Sequence, residues 1–192
     1  MSELNFPRVH QIRFNYSGLE DRMAMVLTMV SGEGRVGWLS RRALTGLITH
    51  INTVLKKSHP AGEGHEAHDT VMALEHIGAR SQLAAQANQA RADEGGGNEA
   101  AEEVPPPEVW VHYLITEARV EAQGEAIIVA VLGQPLPGQP DQQLSPEPIA
   151  GLALTRPHCH EILRLMRVNA EQAQWDLKLP LDWMGVSPPK EG

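Results

Sequence analysis

Two short histidine-rich stretches carry the residue types that bind transition metals. In the first, "HEAH", His65 and His68 stand three positions apart, whereas a zinc-protease helix needs histidines at i and i+4 with a glutamate as general base. His76 follows two turns later, so His65, His68, Asp69 and His76 could form a metal stripe along one helix. The ordinary interpretation is a set of solvated polar residues on an exposed helix, and we predict no metal ion here.

The second stretch, "HCH", places Cys159, the only cysteine of the chain, between His158 and His160. Neighbouring residues of a helix point about 100° apart, which argues against a shared ligand. Cys159 falls on the apolar face of its predicted helix, so we expect a small buried hydrophobe with two half-exposed histidines beside it. No separate Asp or Asn pairs with a histidine in the way an activated thiol requires.

One glycine-rich stretch, "GEGRVG" at residues 32–37, formally matches the dinucleotide fingerprint. In that fingerprint the glycines lead directly into a helix whose first turn meets the pyrophosphate. Here a strand-like stretch comes before the helix that follows Ser40, and the residue about 20 positions on, Lys57, is basic rather than acidic. The pattern favours a hairpin turn, and we predict no cofactor.

Three residues are candidates for contact with a partner. Arg41 and Arg42 open a predicted helix, where the macrodipole disfavours cations. They could reach toward an acidic partner or a phosphate, or they could pair within the fold, for example with Asp21 or Glu33. Trp183 in "PLDWM" could pack back onto the core or could serve as an aromatic anchor, since tryptophan is favoured at interface hot spots.

Two helices position these residues, and both begin with a hydroxyl residue that can cap the first turn, Ser40 and Thr155. After each cap the apolar residues recur at i, i+3, i+4 and i+7, which is one face of a helix. The two faces correspond without a gap: Leu44, Leu47, Ile48 and Ile51 in the first, and Cys159, Ile162, Leu163 and Met166 in the second.

Strands are predicted before each helix. They cover residues 9–16, 22–30 and 35–39 in the first half, and 109–115, 126–133 and 149–154 in the second. The repeated order of three strands and a helix predicts an α+β fold made of two tandem units, with a mainly antiparallel sheet and both helices packed on one of its faces. The units are predicted at residues 1–57 and 108–184.

The second unit includes a further half-buried strand at residues 173–179, predicted from alternating apolar residues. Between the units, residues 58–107 are predicted to form an inserted helix rich in Ala, Gln and Glu, followed by a flexible acidic linker. Residues 185–192 are predicted to be a polar tail.

The net charge of −8 is unevenly distributed, with +4 on residues 1–60, −7 on residues 61–104 and −5 on residues 105–192. An acidic chain with only 4% aromatic residues is a poor match for nucleic-acid binding, which favours basic grooves and stacking rings. The single cysteine, the lack of an apolar run of about 20 residues and the lack of a secretory signal predict a cytoplasmic protein.

The sequence therefore predicts a non-enzymatic interaction or assembly protein, which binds a protein partner or self-associates and takes no small molecule. Two alternatives stay open. One is a single-stranded nucleic-acid-binding protein, since tandem strand–helix units are similar in fold, though not in motif, to PUR-repeat and Whirly proteins. The other is a small enzyme or metal protein that uses the His/Cys clusters.

Overall fold

The computed structural model describes residues 6–59, 68–94, 107–137 and 145–185. Its strands are β1 (Val9–Ser17), β2 (Arg22–Met29), β3 (Gly34–Leu39), β4 (Trp110–Gln123), β5 (Ala126–Pro135) and β6 (Glu147–Leu154). Its α-helices are α1 (Arg41–Lys57), α2 (His68–Glu94) and α3 (Arg156–Gln172), and a single 3₁₀ turn, η1, covers Asp182–Gly185. The predicted α+β class is thereby confirmed.

The six strands form one sheet in chain order, from β1 to β6. Every neighbouring pair is antiparallel except β3 and β4, which run parallel. An isolated parallel bridge joins Arg8 to Gly151, where the Gly151 N–H donates to the Pro7 carbonyl at 2.9 Å. The two outermost strands therefore meet at one end, so the sheet is strongly curled there.

Three β-bulges interrupt the ladders of the described strands. They lie between Val9 and Gln11 in β1, between Ile115 and Glu117 in β4, and opposite Val131 and Leu132 of β5, where Ile149 is the extra residue of β6. An extra residue at a bulge shifts the alternation of side chains by one position. β4 continues through its bulge to Gln123, eight residues beyond the end predicted for it at Ile115, where the alternation changes phase.

Helix α1 begins where the sequence predicts, because the Ser40 hydroxyl accepts a hydrogen bond from the Ala43 N–H at 3.2 Å. Thr155 is the N-cap residue of α3, but its hydroxyl contacts His158 Nδ1 at 2.7 Å instead of capping the backbone. The predicted apolar faces of both helices are buried and join the strands in one core. The hairpin turn predicted between β2 and β3 is also confirmed.

Helix α2 divides into a packed and an exposed half. Met72, Ala73, His76 and Ala79 are buried, and the helix contacts α3 and η1. Because a helix buries its side chains every three to four residues, this spacing places the four residues on one face against the body. The start of α2 therefore belongs to the same core as the two predicted units.

The strand predicted at residues 173–179 is not part of the sheet. Its backbone bonds locally instead, with the N–H of Leu177 donating to Trp175 and that of Leu179 donating to Leu177, at 2.8 and 3.1 Å. The alternation nevertheless predicted which side chains face inward, since Trp175 is buried and both leucines are partly buried.

Several predictions concern residues outside the described ranges. They are the "HEAH" residue His65, most of the acidic linker at residues 95–106, and the tail at residues 186–192. Within the described part of the chain, no helix has the length and apolar character needed to cross a membrane.

Candidate functional site

Arg41 belongs to a surface cluster built around Asp21. The Asp21 carboxylate accepts hydrogen bonds from Arg41 at 2.8 Å, Trp175 at 2.9 Å and Tyr16 at 3.0 Å. These contacts, led by the Trp175 N–H, lower the Asp21 pKa, and Asp21 itself has a left-handed backbone with φ of 46°. The guanidinium of Arg41 also lies over the Trp175 ring at 5.2 Å. Arg41 therefore has the intramolecular carboxylate that the sequence suggested.

Arg42 differs from its neighbour. Its side chain is exposed, and among the described residues no carboxylate forms an ion pair with it. It lines an open groove between α1 and β4. Of the two arginines, Arg42 is the one whose charge remains available to another molecule.

Trp183 lies apart from both arginines. Only 1% of it is exposed, and its indole N–H donates to Asn52 Oδ1 at 3.0 Å. Asn52 lies three turns along α1 from Arg41, about 16 Å at the helical rise. The structure thus fits packing onto the core and not an anchor for a partner, and Trp183 does not form one surface with Arg41 and Arg42.

Beside Trp183 lies a polar cluster that sequence reasoning missed, and Glu75 is at its centre. Arg156 pairs with both oxygens of Glu75 and also donates to the Leu55 carbonyl and the Ser58 hydroxyl, at 3.1 and 2.9 Å. The guanidinium thereby ties the last turn of α1 to α2 and α3. Burial alone would raise the pKa of Glu75, but Arg156 and His160 outweigh it and lower the pKa to about 2.

Two histidines of this cluster contradict the exposure expected for them. His160 is fully buried rather than half exposed, and His76 is 8% exposed rather than solvated. Their rings lie 5.7 Å apart, and each meets the Trp183 ring edge-on, at 5.1 and 5.6 Å. Both rings are buried because α2 lies over α3, a long-range contact that single-helix periodicity cannot reveal.

The ring nitrogens are poorly satisfied. His160 Nε2 lies 3.2 Å from Glu75, yet neither nitrogen of His160 nor Nδ1 of His76 makes a well-formed hydrogen bond. Burial and the nearby His160 and Arg80 lower the pKa of His76. Within the described ranges, no set of three His, Cys, Asp or Glu residues is arranged to hold a metal ion.

The described remaining members of the histidine stretches, Cys159, His158 and Asp69, do not assemble into a site. Cys159 is fully buried, as expected, and burial raises the pKa of its thiol to about 12. A thiol with such a pKa is protonated at neutral pH and is a poor nucleophile. His158 is exposed, and Asp69 pairs with Lys56 at 2.7 Å.

A second surface feature is the exposed half of α2, a helix that the sequence already suggested to be exposed. From Arg80 to Ala90 every residue is exposed except Leu83, which is half-buried. Leu74 and Ile77 are 53% and 39% exposed. The sequence indicates this exposure, because α2 has too few large apolar residues to form a buried face along its whole length.

With this geometry established, comparison with known proteins adds no relative. No protein-family model, no curated protein and no solved structure matches the chain.

Proposed function

We propose that the chain is a non-enzymatic interaction or assembly protein, and that the exposed half of α2 is its main contact surface. The observation that carries the proposal is a helical segment of eleven residues, 80–90, that is exposed almost all round. It spans about 16 Å at the helical rise. Helices in proteins owe most of their stability to packing on an apolar face, so contact with another chain would stabilise this segment.

The exposed segment continues a line of exposed residues that begins at two apolar side chains in the packed half of α2. Leu74, Ile77, Ser81 and Ala84 stand at i, i+3, i+7 and i+10, which places them along one side of α2. Large exposed apolar side chains next to small ones let a second helix approach closely. A partner helix, from another protein or from a second copy, fits such a face.

We also propose that the fold is a duplicated unit with both main helices on one face of the sheet. The pairing before each helix supports this: Leu39, just before the Ser40 cap, pairs with Met23, and Leu154, just before Thr155, pairs with Ile127. On their other side, the same two residues pair with the preceding strand: Met23 with Tyr16, and Ile127 with Ala122. The three strands before each helix therefore have corresponding registers.

The bulges support the same proposal. Val9, where the β1 ladder shifts, lies seven residues before Tyr16, and Ile115 lies seven residues before Ala122. The parallel contacts β3–β4 and Arg8–Gly151 also fall where one unit meets the next. Two related units offer two related surfaces, which suits a protein that assembles others.

The two alternatives gain no specific support. The one thiol is buried with a pKa near 12, so an enzyme that uses Cys159 is not favoured. An overall charge of −8 is unfavourable for binding a polyanion.

A capture experiment with paired variants tests the proposal. Leu74→Glu with Ile77→Glu places two charges at the exposed apolar positions of α2 and should abolish capture of a stoichiometric partner, or self-association, while leaving the melting temperature near that of the wild type. Gln82→Glu with Gln86→Glu adds the same charge on the other side of the exposed helix and should not. Equal capture by both variants, or no stoichiometric capture by the wild type, contradicts the proposal.

A further inference from the structure

A groove of about 330 Å³ lies between the first half of α1 and the bulge of β4. Its floor is apolar, since Leu47 and Ile115 are 2% and 5% exposed. Arg42, His50 and Thr116 line its rim, and all three are exposed. The groove is open to solvent, and none of its lining residues belongs to α2.

Gly46 keeps this groove open. A glycine inside a helix is less favourable than an alanine, yet a methyl group added to Gly46 would meet nothing within 4 Å. The local packing therefore does not require glycine, and the φ of Gly46 is not in the left-handed region. What the missing side chain provides is space above the floor.

The corresponding position of the second helix carries a long side chain. Glu161 of α3 stands as many residues after Thr155 as Gly46 stands after Ser40. Its carboxylate is held by Arg164 at 2.6 and 2.8 Å. The position in α1 has no side chain and lies in the groove.

The groove carries the positive charge of Arg42. Arg42, Gly46 and His50 follow one another at i, i+4 and i+8, so the guanidinium of Arg42 and the imidazole of His50 flank the open space on one face of α1. Arg42 has no carboxylate partner among the described residues. The acid on the opposite wall, Glu117, is already paired with Arg119 at 2.6 Å. An incoming carboxylate would meet an unpaired guanidinium without displacing an existing ion pair.

We propose that this groove binds an acidic segment of a partner protein, with one apolar side chain seated over Gly46 and a carboxylate on Arg42. The inference rests on the proposed function and names a second contact surface and the chemistry of its ligand. A partner segment fits better than a free small molecule. Small-molecule sites enclose most of their ligand. Here the rim residues Arg42, His50 and Thr116 are all exposed, so a small ligand in the groove would stay largely in contact with solvent.

A peptide titration followed by amide chemical shifts tests this. The probe is a blocked pentapeptide with a central Leu flanked by Glu and Asp, and its control carries Gln and Asn in place of the acids. The acidic peptide should shift amides within residues 42–50 and 115–118, and added salt should weaken it because exposed charges are screened. The neutral peptide should bind at least about tenfold more weakly.

Variants of the groove sharpen the test. Gly46→Glu copies the residue at the corresponding position of α3, and Arg42→Gln removes the unpaired charge; each should weaken the acidic peptide by about tenfold or more. Arg13→Gln, which removes an exposed arginine of β1, is the matched control and should bind as the wild type does. Both groove substitutions point into open space or solvent, so wild-type melting temperatures are expected.

Three results overturn the inference: no localised shifts at millimolar acidic peptide, equal binding of the neutral peptide, or unchanged binding by both groove variants. The capture experiment separates this failure from that of the proposed function. If the Leu74/Ile77 variant loses the native partner while Gly46→Glu and Arg42→Gln retain it fully, the groove is not the contact and the interaction function stands. If the wild type captures no partner and does not self-associate, the function itself is wrong.

Discussion

Replacing Glu75 with glutamine should cost the folded protein about 2–3 kcal/mol at pH 7. The pKa of Glu75 falls from 4.5 to about 2 on folding, through its contacts with Arg156 and His160. At about 1.4 kcal/mol per pH unit, this fall of about 2.5 in pKa corresponds to roughly 3.5 kcal/mol before solvent screening. The Glu75 side chain is still 22% exposed, so solvent screens part of its interaction with Arg156 and His160. The expected loss of stability is therefore lowered to about 2–3 kcal/mol.

The same shift fixes the pH dependence. Because the folded pKa lies below the unfolded one, the stabilisation is complete above about pH 5 and is lost as pH falls toward 2. The difference in stability between the wild type and Glu75→Gln should therefore shrink to about half by pH 3. Urea denaturation at pH 7 and pH 3 measures this difference directly.

Glu171→Gln provides the matched control. Glu171 also pairs with an arginine, Arg167 at 2.8 Å, but its side chain is 59% exposed. Its loss should cost no more than about 0.5 kcal/mol. A Glu75 variant as stable as the Glu171 variant at pH 7, or a loss that is the same at both pH values, would refute the proposed role of the cluster in joining the three helices.

Three further predictions concern the other residues singled out by the sequence. Cys159→Ser should lower the free energy of unfolding by about 1–3 kcal/mol by burying an unsatisfied hydroxyl, and the native thiol should resist a labelling reagent at pH 8 that modifies the unfolded chain. The pKa of His76 is lowered on folding, so the unfolded chain takes up the proton first as pH falls. The contribution of neutral His76 to stability is present above about pH 6.5 and is lost below it. His76→Phe should therefore reduce the drop in melting temperature between pH 7.5 and pH 5. Arg41→Ala should cost at most about 1 kcal/mol, since its pair with Asp21 is half exposed, and Arg42→Ala should leave the melting temperature unchanged.

The helices α1 and α3 were predictable because cap and periodicity agree within one short window. Ser40 and Thr155 mark their starts, and the residues that follow have an apolar spacing that only a helix places on one side. No long-range information was needed for these two elements.

The course of β4 was harder to predict for a local reason. The inward positions before the bulge include Tyr113 and Ile115, and after it they include Ala118 and Val120. The extra residue at Thr116 reverses the phase of the alternation, so a pattern with a fixed period of two ends at the bulge although the strand continues.

The polar cluster and the placement of Trp183 depend on contacts far apart in the chain. Trp183 meets Asn52 across 131 positions, and Arg156 meets Glu75 across 81. No local sequence motif marks any of these four residues as a member of a buried cluster. Only the packing of α2 on α3 shows that they share one buried site, whereas the thin apolar content of α2 already indicated that part of this helix stays exposed.

The most direct test of the interaction function is the mass of the particle in which this 192-residue chain elutes on size exclusion, when it is mixed with an extract of its native cells and detected with an antibody. A single chain has a mass of 21.0 kDa. The interaction function predicts a larger particle for the wild type and a shift toward 21.0 kDa for the variant with Leu74→Glu and Ile77→Glu. A wild-type protein that elutes at the mass of a single chain, identical to the variant, would contradict it.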